Sequence, residues 1–93
     1  MVALSVEHEW ATPDELEASR RYTMVVTWSA EDGVFLASFP DAPGVITHGD
    51  TREQAAVRGE EAILGWLMAL RDAGRAIPPP VSHTVDELLA RWP

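Results

Sequence analysis

The side chains suited to acid–base or metal chemistry are three histidines (His8, His48, His83) and three aspartates at loop-like positions (Asp32, Asp41, Asp50). Converging carboxylates on Asp32, Asp41 and Asp50 would suit a Mg²⁺-dependent nuclease, which needs two or more acids around one cation. Simpler roles compete for two of them: Asp32 sits in an Asp-Gly turn and Asp50 at a helix cap. His48 and Asp50 flank Gly49 as half of a metal site at best, and a surface-loop histidine is the preferred reading of His48. With no cysteine there is no thiolate nucleophile, disulfide or Cys-ligated zinc. All seven bases are arginine, so Schiff-base chemistry and the P-loop lysine are excluded. Neither Gly-x-Ser-x-Gly nor His-Glu-x-x-His occurs. The residues therefore indicate no catalysis, no metal and no cofactor.

Binding chemistry is better represented. Four tryptophans (10, 28, 66, 92) are many for 93 residues. Trp28 and Trp66 fall on strand and helix faces expected to meet in a core, whereas Trp10 and Trp92 lie in terminal segments, as core closures or interface anchors. Fifteen acids against seven bases give a net charge of -8, which opposes nucleic acid and favours a basic protein partner. The excess is uneven: residues 1–19 hold five acids and no base, residues 20–80 eight acids and six bases, residues 81–93 two acids and one base. No long apolar run spans a membrane and the N-terminus lacks a basic leader region, so a soluble cytoplasmic protein is expected.

The chain length fits one domain with one modest core, and three segments are expected: an acidic extension at 1–19, a domain at 20–80 and a short tail at 81–93. Thr12-Pro13-Asp14-Glu15 has capping-box spacing and starts a short helix. From Tyr22 to Trp28 the pattern has a period of two and predicts a strand; Ser29-Ala30-Glu31-Asp32-Gly33 is a turn, and Val34 to Phe39 a second strand. After Pro40-Asp41-Ala42-Pro43-Gly44 a third strand is expected at Val45-Ile46-Thr47. Asp50 or Thr51 caps a helix running to about Ala73, stopped by Gly74, with Gly59 expected to approach the sheet closely. Gly65 has no evident reason. Pro78-Pro79-Pro80 forces extended chain, and Thr84 to Glu87 caps a terminal helix; a fourth strand at Val81, His83 and Val85 is the alternative. The fold class is α+β: a three-stranded antiparallel meander packed by one long helix, with short terminal helices.

The ordered blocks at Tyr22–Trp28, Val34–Phe39, Pro40-Asp41-Ala42-Pro43-Gly44, Gly49–Ala55 and Ala73–Pro80 resemble HicB-type antitoxin domains over about residues 22–80. The resemblance implies a partial RNase H-like fold and a protein that inhibits a HicA toxin, a small basic ribonuclease that uses a histidine to cut mRNA. Pro40, Asp41, Pro43, Gly44, Gly49, Asp50 and Thr51 match the family pattern, and Val45 stands where cysteine is frequent. Full-length relatives usually continue into a helix-turn-helix or ribbon-helix-helix segment; thirteen residues follow Pro80 here, so a stand-alone form without direct DNA or RNA binding is expected. Glu31, Asp32 and Asp41, with Trp10 and Trp92, are the expected partner-binding residues. Two free sheet edges favour a homodimer or larger homo-oligomer, and a self-associating domain without a toxin is the alternative.

Overall fold

A computed structural model describes residues 11–91, with the side chain of Arg91 excepted. Three strands, β1 (Val25–Ser29), β2 (Val34–Ser38) and β3 (Ile46–Gly49), form one antiparallel sheet in the order β1-β2-β3. Helix α1 (Pro13–Ser19) precedes the sheet, α2 (Arg52–Asp72) follows it, and α3 (Val85–Arg91) comes last. This is the expected α+β meander. The tail resolves as helix, and no fourth strand forms among the described residues.

Register decides which side chains face the helix. Val26 pairs with Ala37 and Trp28 with Phe35, while Phe35 also faces Gly49. Because side chains alternate along a strand, Val26, Trp28, Phe35 and Ala37 share one face. Helix α2 lies on it: a Cβ built at Gly59 would come 3.1 Å from Ala37 Cβ and 2.9 Å from Met24 Cε. Gly59 therefore allows the close approach read from sequence. The opposite face carries Val25, Thr27, Val34, Leu36, Ile46 and His48, and no described element covers it.

The core lies under the middle and end of α2, where Tyr22, Phe39, Ala42, Val45, Ile63 and Leu67 are buried together. Tyr22 packs edge-on against Trp66, with centroids 6.2 Å apart. Strand ends shift by a residue or two, with β2 stopping at Ser38 and β3 running on to Gly49, and two strand starts differ for a reason in the core. Tyr22 precedes β1 rather than beginning it, and Val45 precedes β3, because both are drawn into the core beside Phe39 instead of pairing in the ladder. Successive turns explain the break before β3: Ala42 N–H donates to Phe39 O (3.0 Å) and Val45 N–H to Ala42 O (2.9 Å).

Part of the acidic extension is docked. Thr12 caps α1 through the Glu15 N–H, and the Glu15 carboxylate accepts from the Thr12 N–H (2.9 Å). The same Oε1 is held by Arg71 of α2 at 2.8 Å, with the Glu15 side chain 1% exposed. Leu64, two turns earlier on that side of α2, is buried as well. Glu15 is thus committed to packing the extension against the domain.

Candidate functional site

Two places bring together residues that the fold does not need for its core. The first is the hairpin end of the sheet. Trp28 and Phe35 are cross-strand partners, their rings 5.0 Å apart at 65°. Arg52, the first residue of α2, sets its guanidinium 4.9 Å from the Phe35 ring centroid. Helix α2 meets the sheet closely at Gly59, over Met24 and Ala37, and leaves the strand ends open, so Trp28 remains 56% exposed. Trp28 shares the face of the core as expected, but it is a surface residue. The turn beyond it is ordered by its own polar groups. Asp32 N–H donates to Ser29 Oγ (3.2 Å), Ser29 Oγ donates to Asp32 Oδ2 (3.2 Å), and Gly33 takes φ 67. Glu31 and Asp32 are exposed here, as are Asp50 just before α2 and Glu53 in its first turn. A partly exposed aromatic pair at a hairpin end whose turn carries exposed carboxylates offers hydrophobic anchorage and negative potential.

The second place is the loop Pro40–Gly44. Asp41 receives the His83 imidazole, with Nε2 3.0 and 3.1 Å from its two carboxylate oxygens. His83 is 6% exposed and its Nδ1 lies 3.8 Å from Glu87 of α3. Alongside, the Tyr22 hydroxyl donates to the Pro78 carbonyl. Burial pushes the Tyr22 phenol up from its ordinary value, and the neighbouring Asp41 carboxylate adds to the shift. Thr84 then caps α3 by accepting from the Glu87 N–H (3.1 Å). Asp41 therefore ties the tail to the sheet, and its carboxylate is largely occupied by His83.

The remaining motif residues hold the turn into α2. A Cβ at Gly49 would fall 2.4 Å from the Ala55 nitrogen and 2.8 Å from the Gln54 carbonyl carbon, so only glycine fits. Thr51 Oγ1 accepts from the Gln54 N–H (3.0 Å), and Gln54 Oε1 accepts from the Asp50 N–H (2.6 Å). Thr51 is the cap, and Asp50 contributes its backbone. Pro40 is half-buried and Pro43 exposed; space is open around Gly44, and nothing in the structure explains that glycine.

Asp32, Asp41 and Asp50 sit in the hairpin turn, against His83 and before α2, each with its own neighbours. Among the described residues no group of three or more His, Asp or Glu side chains is placed to hold a metal ion, and no helix is long and apolar enough to cross a membrane. His8, Trp10 and Trp92 lie outside the described residues. Sequence reasoning missed two participants, Trp28 as a surface aromatic and His83 as the partner of Asp41. Trp28 had a usable signal in its position next to the turn, beyond the span of the helix; the Asp41–His83 pair joins residues 42 apart and had none.

Residues 22–92 match the family described as HicB-like antitoxin of bacterial toxin–antitoxin systems. A UPF0150 protein of Thermoplasma acidophilum is 33% identical over 58 residues, which span 62% of this chain and 83% of that protein. No solved structure matches significantly.

Proposed function

The chain belongs to the HicB-like antitoxin family of bacterial toxin–antitoxin systems, and from that premise we propose that it neutralises a small basic HicA-type ribonuclease toxin by covering the toxin's active surface. The observation that carries this reading is the hairpin end, where Trp28 is 56% exposed beside Phe35 and Arg52 with Glu31 and Asp32 exposed next to it. Partly exposed tryptophans are frequent hot spots, and carboxylates around one steer a basic partner into encounter. Asp41 acts internally through His83, and Glu31 and Asp32 do the steering. The chain itself performs no catalysis, needs no cofactor, and acts in the cytoplasm on a protein rather than on nucleic acid, in keeping with its net charge of -8.

Co-expression tests this reading. A small basic reading frame with a catalytic histidine, encoded beside this gene, should arrest growth alone and cease to do so when this chain is present. Absence of both rescue and binding removes the proposal. A second reading, a self-associating domain with no toxin, draws support from the uncovered sheet face, on which Ile46 is 60% exposed.

A further inference from the structure

Among the described residues two apolar surfaces remain uncovered. One is the open face of the sheet, with Val25, Val34, Leu36 and Ile46. The second is the outer side of α3, where Val85 and Leu89 lie one turn apart and are 69% and 66% exposed, with Val81, 49% exposed, in the extended chain before it. An amphipathic helix ordinarily turns its apolar stripe inward. Here His83, fixed on Asp41, and half-buried Leu88 occupy the inward side, so the stripe points to solvent. We propose that the chain forms a two-fold dimer in which α3 of each copy lays its Val85–Leu89 stripe on the open sheet face of the other.

Size, charge and layer logic favour a second copy as the occupant. A seven-residue helix is about 10 Å long at 1.5 Å per residue, and a three-stranded sheet measures about 10 Å between its outer strands. The open-face strand positions carry no Asp, Glu or Arg, and neither does the stripe. In a chain of net charge -8, these uncharged surfaces are where two copies meet with least repulsion. Asp32 reaches the hairpin margin of that face, lining a cavity with Val34, Leu36 and His48, so the seat for α3 is the uncharged part around Val25 and Ile46. The rim supplies one complementary contact: Arg58 Nη1 donates to the His48 carbonyl (3.0 Å) at the β3 edge, where it faces the acidic flank of an incoming α3, with Asp86 exposed. The result is a sheet covered by helices on both faces, an arrangement that buries both apolar surfaces. Sheet-to-sheet pairing would leave the stripe of α3 in water. The seat around Ile46 stands apart from toxin binding, which uses Trp28 on the helix side of the hairpin end.

Light scattering and sedimentation of the full chain, Ile46→Glu and Leu89→Glu test the exchange. Both replaced side chains are well exposed in the single chain, and circular dichroism checks that each variant keeps its fold. The wild type is expected at twice the chain mass of 10.2 kDa, and each variant should dissociate at least 100-fold more readily. Mixing the variants leaves one intact seat per pair, so the mixture must associate more tightly than either variant alone. A monomeric wild type, a Leu89→Glu variant that stays dimeric, or a mixture no tighter than its components each overturns the proposal. A monomer whose toxin affinity falls with Ile46→Glu also overturns it and assigns the open face to the toxin. Trp28→Ala should leave the dimer unchanged, which separates failure here from failure of the antitoxin reading.

Discussion

Replacing Trp28 by alanine separates a docking surface from a packing surface. Trp28 is 56% exposed in the free chain, and a tryptophan buries about 150–250 Å² when fully covered. About 80–140 Å² therefore remains for a partner to cover, worth about 2–3.5 kcal/mol at about 25 cal/mol/Å². Trp28→Ala should weaken toxin binding by about 30- to 300-fold. Its cost to folding is of the same order, because the part of the ring already buried in the free chain, about 70–110 Å², is worth about 1.7–2.8 kcal/mol and the edge-on pair with Phe35 adds about 0.5–1.5 kcal/mol. Calorimetric titration of the toxin into wild type and variant, with thermal unfolding of each chain alone, reads both numbers. Toxin affinity within about threefold of wild type would refute the placement of the docking surface at the hairpin end.

Other perturbations probe the scaffold. Gly49→Ala and Gly65→Ala make the same change with opposite signs. The first drives a Cβ into the backbone of Gln54 and Ala55 and should cost about 3 kcal/mol or more, whereas the second adds a methyl in open space and should stabilise by about 1 kcal/mol; denaturant titration reports both. Arg71→Met leaves Glu15 buried beside Thr12 without its cation and should cost about 2–4 kcal/mol, part of which the added change Glu15→Gln restores. Tyr22 ionises less readily folded than unfolded, so its contribution to stability is intact below about pH 10 and is lost as pH rises through the raised folded value; Tyr22→Phe should flatten that alkaline decline in thermal melts. His83→Ala removes the link from Asp41 to the tail, and hydrogen exchange should show faster exchange in α3 with little change in α2.

Local signals carried the architecture. Alternation set the strands, Asp32-Gly33 the hairpin, Thr51 and Gly74 the limits of α2, and Gly59 the contact with the sheet, each because a periodicity or a cap is written within a few residues. The boundaries that shifted, at Tyr22 and Val45, are where long-range packing with Ile63 and Leu67 overrode alternation. The site was less legible for the same reason. Asp41 was visible as a motif residue, but its partner His83 comes from 42 positions away, and Glu15 was legible as a capping-box residue but not as the partner of Arg71. Trp28 alternates like a core residue, and its place next to the turn was the one local sign that the helix does not cover it.

The central claim is that this chain occludes the catalytic surface of a basic ribonuclease. Titrating it into an RNA-cleavage assay of the neighbouring toxin tests that claim most directly. Cleavage should fall to background at stoichiometric chain, and excess RNA should compete with the chain; Trp28→Ala should need the higher concentration set by its weaker binding. Tight binding that leaves cleavage intact, or no binding at all, would contradict the account.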